Sequence, residues 1–286
     1  MIEKLIFHLG HSAGFYSEFN NMVLAILYCK RHNIDFQLYS NDANFRIKKG
    51  WDDFFLPFCK EIHNPVHHYI NHRFSAPIGG KRKFLYDTYK QLYPTSYLTS
   101  ELWDRFRHID QNELTTLETR YLSTNIIDKI YRFNTSTKEQ IDSLIKSIDL
   151  PGKYIGFHIR GGDKTSEHDI LSLAEYISKA ESLTPLRDAF VYTDDYRFIE
   201  MLQEQYPSWN FRTLTHKEDR GYFHNDFVKL DSATRAKKTI NMFASMELLS
   251  HATLSFCTFS SNIGMFLGMR IGDHAIGVDM DNWMIW

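Results

Sequence analysis

From Tyr154 onward the chain repeats one pattern: a short apolar run, a loop, then an amphipathic stretch. The apolar runs are Tyr154–Ile159, Phe190–Thr193, Phe211–Leu214, Leu254–Thr258 and Ala275–Asp279. Between them, residues 170–183, 196–206, 232–250 and 261–270 carry apolar side chains at helical spacing. Unbroken apolar runs suit strands covered on both faces, and strands that alternate with helices pair in parallel, because a parallel connection needs a crossover. The sequence therefore predicts an α/β fold with a mostly parallel sheet, and Pro151-Gly152 marks where this half begins.

The first half opens in the same way. Leu5–Leu9 reads as a strand and leads into GHSAG, with Gly10 and Gly14. A helix follows, with Phe15, Phe19, Met22, Val23, Ile26 and Leu27 on one face, and then a strand at Phe36–Ser40. Residues 41–112 are broken by Pro57, Pro65, Pro77, Gly79, Gly80 and Pro94 and show no clear period. A helical region is expected over Glu113–Phe133. A second helix, with Ile141, Leu144, Ile145 and Ile148 in register, would be capped by Ser136 and Glu139. Two Rossmann-like halves joined near residue 150 are the expected organisation.

Composition narrows the function classes. A formal net charge of −2 gives no reason to expect nucleic acid or an anionic membrane as partner. No apolar run reaches the roughly 18 residues of a membrane span, and MIEKLIFHLG lacks a signal-peptide pattern. The cysteines Cys29, Cys59 and Cys257 have neither disulfide-framework nor zinc-site spacing. A cytoplasmic location is the expectation that follows.

GFHIRGGDKTSEHD, from Gly156 to Asp169, is the densest run of chemistry. It fails as a phosphate-binding P-loop: that motif needs a glycine directly before its lysine and another six before it, where Asp163 and His158 stand. What remains is a strand end releasing His158, Arg160, Asp163 and Lys164 into a glycine turn. An arginine there can grip a phosphate in two places while the glycines let backbone N–H groups approach. Two further strand ends add to it. VYTDD supplies Asp194 and Asp195; CTFSS supplies Thr258, Ser260 and Ser261 at the start of a helix, where an anion is favoured. Together they describe a pocket for a diphosphate.

These three motifs, in this order, resemble the fucosyltransferase-like superfamily of glycosyltransferases, with GFHIRGGDK most similar to α-1,6-fucosyltransferases. GFYSEFNNMVLAILYC, led by Gly14, and GWDDFFLPF extend the resemblance into the first half. It implies a GT-B-like fold of two Rossmann-like domains facing a central cleft, with residues 1–150 on the acceptor side and 151–286 binding the donor. It implies an inverting, metal-independent transferase that carries fucose from GDP-fucose to a glycan hydroxyl and needs no cofactor. Arg160 would hold the β-phosphate with Ser261 and neighbouring amides, His158 would lie near the base, and Asp194 and Asp195 would orient donor groups. Lys164 and an acid after it would face the acceptor. Glu167 is the first choice of base, ahead of Asp163 and Asp169; the assignment requires a one-residue deletion in the loop.

The pattern is not followed everywhere. Gly161 replaces the second arginine of the common HxRR form. The acid that reads guanine falls on Ser245, which cannot accept from two guanine N–H groups at once. A UDP-sugar such as UDP-xylose is the alternative donor. A nucleotide-sugar- or glycan-binding module without turnover is the alternative class, against which the acids Asp163, Glu167 and Asp169 speak. A dehydrogenase would want a third glycine that GHSAG lacks. Asp279-x-Asp281 matches a metal-diphosphate motif but reads more simply as a turn. His63, His67, His68 and His72 lack a catalytic or zinc spacing partner, and GGKRK (Gly79–Lys83) reads as a solvated loop.

Overall fold

The computed structural model describes residues 2–10, 13–73, 79–161 and 172–285. The chain divides into two compact units, one running to Asn134 and taking in Ile285, the other running from Thr135 to Met284.

The first unit contains β1 (Lys4–His8), α1 (Phe15–Arg31), β2 (Asp35–Tyr39), β3 (Lys60–Glu61), α2 (Val66–Ile70), α3 (Gly80–Leu92), β4 (Ser96–Leu98), α4 (Thr99–Arg107), α5 (Ile109–Asn112) and α6 (Thr116–Ile130). Its strands form a parallel sheet in the order β3-β2-β1-β4. α1 is buried along nearly its whole length, which is why its sequence is apolar beyond a single stripe. The Gly50–Phe58 segment is fixed by its glycine and an acid. Gly50 has φ +83°, and a Cβ there would lie 2.1 Å from Ser40 Oγ. Asp53 Oδ2 accepts from the amides of Ile47, Lys48, Lys49 and Gly50. Trp51 is thereby laid flat on Phe55, with ring centroids 4.2 Å apart.

The second unit contains α7 (Thr135–Ser147), β5 (Ile155–Ile159), α8 (Leu173–Leu183), β6 (Asp188–Thr193), α9 (Arg197–Gln205), β7 (Asn210–Arg212), α10 (His224–Phe227), α11 (Ser232–His251), β8 (Ser255–Cys257), α12 (Asn262–Ile271) and β9 (Ala275–Gly277). Its sheet is parallel throughout, in the order β7-β6-β5-β8-β9. Ile155, Phe157 and Ile159 of β5 pack with Val191, Phe211 and Phe256 and with Tyr176, Ile177 and Leu202 from the covering helices. That cluster covers one face, and all five residues of β5 are buried, so its other face is covered too, which explains the unbroken apolar run.

Three expectations are corrected. The division falls at Asn134 and Thr135 rather than near residue 150, because α7 packs on α11. The helix expected over Glu113–Phe133 is shorter, α6 over Thr116–Ile130, since Thr115 and Glu118 form a reciprocal cap that starts it, and α5 ends before it at Asn112. Ser136 does not cap α7: it lies inside the helix, its Oγ accepting from Gln140 Nε2.

Candidate functional site

In the second sheet the connections run one way through β5, β6 and β7 and the other way through β8 and β9. The reversal lies between β5 and β8, the place where open parallel sheets bind ligands beyond their strand ends. Those two strands pair directly, Phe157 opposite Phe256, so the segments that follow them are neighbours. One begins with Arg160 and Gly161; the other is Thr258–Ser261.

Strand alternation puts Phe157 and Ile159 in the core and turns His158 to the other face, where its ring lies 5.9 Å from that of Tyr192 at 22°. Burial, and then the charge of Arg160, push the His158 imidazole down to about 3, with Asp279 opposing. The ring is therefore neutral, and its Nδ1 is buried without a hydrogen-bond partner. Arg160 is half-buried. Gly161, where the common motif has its second arginine, is tightly enclosed: a Cβ would lie 2.8 Å from the Phe198 ring and 3.0 Å from Asp194 Oδ1.

The two acids after β6 are engaged by the protein itself. Asp194 accepts from Gly161 N at 2.9 Å and Tyr222 N at 3.0 Å, tying the turn after Arg160 to the 221–222 loop. Burial raises its pKa despite these bonds. Asp195 is buried, starts α9 by accepting from Arg197 N, and also holds the Arg197 guanidinium, which lowers its pKa. Both carboxylates hold loops beside the strand ends, Asp194 the turn after Arg160 and the 221–222 loop, Asp195 the start of α9.

After β8, Ser261 caps α12: its Oγ accepts from Gly264 N at 2.9 Å and donates to Thr258 O at 2.8 Å. Gly264 is required there, since a Cβ would sit 1.9 Å from that carbonyl oxygen. Thr258 is buried and Ser260 half-buried. Asp279 accepts from Phe259 N at 2.7 Å and Ser260 N at 2.9 Å, whereas Asp281 is exposed. Two of the amides expected to meet a phosphate are thus already taken.

Ser245 lies buried on α11 and donates to Asn241 O at 2.9 Å. Gly14 is in the first unit, as the N-cap of α1. Asp163, Lys164, Glu167 and Asp169 lie outside the described residues. The first unit's histidines diverge. His68 and His8 share Asp42, His72 bonds to Tyr69 O, and burial pushes His67 down to about 4. Among the described residues no group of three or more His, Cys, Asp or Glu is placed to hold a metal ion, and no helix is long and apolar enough to cross a membrane. Glu18, buried on α1, pairs with Arg73 at 2.8 Å, and no local pattern in the sequence marks a pair 55 residues apart.

No protein-family model matches the chain. An α-(1,6)-fucosyltransferase of Caenorhabditis elegans is 26% identical over 149 residues, which is 48% of this chain and only about a quarter (25%) of that protein's length. Among solved structures, the α-1,6-fucosyltransferase NodZ of Bradyrhizobium, soaked with GDP-fucose, superposes over 94% of this chain and 93% of its own, with a TM-score of 0.56 and 14% identity. POFUT1 in complex with GDP-fucose superposes over 95% of both chains, with a TM-score of 0.53 and 9% identity. The chain has a fucosyltransferase-like fold. This is the GT-B-like α/β architecture expected of its sequence. Within the fucosyltransferase-like fold, the strands that precede Arg160 and the start of α12 pair directly at the strand-order reversal of the second sheet.

Proposed function

We propose that this protein is a glycosyltransferase that moves a sugar from a nucleotide-sugar donor to a glycan hydroxyl, with GDP-fucose as donor. The observation that carries the reading is the direct pairing of β5 with β8 at the strand-order reversal, since Arg160 follows the one and the Ser260–Ser261 start of α12 follows the other. A guanidinium and a helix N-terminus both favour the negative charge that grows on a departing diphosphate. The names of the relatives support the same chemistry.

The reaction is a single displacement with inversion. The acceptor oxygen bonds to the anomeric carbon as the bond from that carbon to the phosphate oxygen breaks. The acceptor's proton goes to Glu167, and the nucleoside diphosphate leaves with the electron pair against Arg160. Asp163 and Lys164 serve the acceptor side, and His158, neutral by burial, sits by the base. Arg160 supplies the positive charge, so no metal is required. Asp194 and Asp195 act by fixing the loops around Arg160.

A second reading, a UDP-sugar donor such as UDP-xylose, is favoured by Ser245, whose hydroxyl is spent on its own helix and offers no carboxylate to guanine. Nucleoside diphosphate release from GDP-fucose and from UDP-xylose, in EDTA and with a panel of glycan acceptors, tests the proposal. EDTA-resistant GDP release supports the first reading and UDP release the second. Donor cleavage in neither case contradicts both.

A further inference from the structure

Asp279 takes no part in the chemistry proposed above, yet it is fastened to the loop that does. Its Oδ1 accepts from Phe259 N at 2.7 Å and its Oδ2 from Ser260 N at 2.9 Å, so one carboxylate spans two consecutive amides. The residue before it is anchored to the same strand end, because Val278 N donates to Cys257 O at 2.9 Å. Gly277 allows the chain to turn here: a Cβ would lie 1.8 Å from Met280 O. The β8–α12 segment is therefore held from outside by Asp279 and from inside by the Ser261 cap and the Gly264–Thr258 contact.

Hydrogen bonds to a carboxylate are stronger than neutral ones, and two from adjacent amides fix the orientation of the turn as well as its position. With both oxygens engaged, the negative charge is also spread over N–H groups near an expected anion site. We infer that Asp279 is a positioning residue: it sets Ser260 Oγ and the first turn of α12 for the donor's diphosphate. It is not one half of a metal-binding Asp-x-Asp pair. This rests on the donor-site reading above.

The test is calorimetric titration of GDP, UDP, GMP and UMP into wild type, Asp279→Ala, Asp279→Asn and Asp281→Asn, with and without Mn2+. For the base that wild type binds, Asp279→Ala should weaken the diphosphate roughly tenfold or more, equivalent to about 1.4 kcal/mol, while the monophosphate changes far less. Asp279→Asn keeps one acceptor oxygen and should fall between, and Asp281→Asn should bind as wild type does. A general loss of structure would weaken both nucleotides together, so the diphosphate-to-monophosphate ratio is the deciding readout. If the alanine variant does not fold, the asparagine variant carries the same comparison. An unchanged ratio overturns the inference, as does Mn2+-enhanced binding that Asp279→Asn abolishes. Wild type that binds none of the four overturns the donor-site reading itself and this inference with it, an outcome visible before any variant is made.

Discussion

Arg160 and His158 leave the same face of β5 two residues apart, one half-exposed and the other sealed in. The difference assigns different tests. Arg160→Ala should leave the fold intact and lower kcat/KM by roughly a hundredfold or more, the usual cost of removing a preorganised group from a developing anion. Near-normal turnover in a folded variant would remove the central assignment. Glu167→Gln should lower kcat with little change in donor affinity, and a pure KM effect would place the base elsewhere. His158 gives a stability test. Its pKa falls from the ordinary 6.5 to about 3 on folding, and that of His67 to about 4. Below pH 6.5 the unfolded chain takes up protons that the folded one refuses. Stability is therefore lost as pH falls from 6.5 toward these values, by up to about 1.4 kcal/mol per pH unit for each histidine. Urea midpoints at pH 7 and pH 5 check this, and equal midpoints would contradict it. At this scale the sequence showed which residues gather at strand ends but not what they touch. Asp194 and Asp195 stand in the sequence as a bare pair of acids, and no local pattern reveals that Gly161, Tyr222 and Arg197 bond to them.

Among the elements, α12 is the one whose start is argued to serve both fold and ligand. Ser261→Ala removes the bond to Gly264 N and should cost about 1 kcal/mol of stability. Ser261→Thr keeps a hydroxyl and should recover most of it, which chemical denaturation measures. Gly50→Ala meets two obstacles, φ +83° and Ser40 Oγ, and should destabilise the first unit by more than about 1 kcal/mol. The central strands of the second unit, β5 and β8, were legible because every residue of each is buried, which leaves runs of apolar residues. The first unit's β3, only Lys60–Glu61, is too short and too polar to carry a period, and β4 has three residues. The helix start at Thr116 was missed although Thr115 and Glu118 have the same spacing as the pair proposed at Ser136 and Glu139. A cap in sequence is a statement about type and spacing, and α7 begins at Thr135, one residue before the Ser136 that the spacing would have made its cap.

At the scale of the whole molecule, the two units repeat one topology. Each runs outward from its first strand in one direction and returns on the other side, giving β3-β2-β1-β4 and β7-β6-β5-β8-β9. The α/β class was legible from alternation alone. The division between units was not, because Pro151-Gly152 is a conspicuous break inside the second unit, while the actual division at Asn134 has no breaker beside it. Donor turnover should survive EDTA if Arg160 supplies the charge that a metal would otherwise provide; loss of activity restored by Mn2+ would contradict that. The most direct test of the account is calorimetric binding of GDP and UDP, without metal, to wild type and to Arg160→Ala. Wild type should bind one of them, and the variant, still folded, should lose that binding. Wild type that binds neither, or a variant that binds as wild type does, would contradict it.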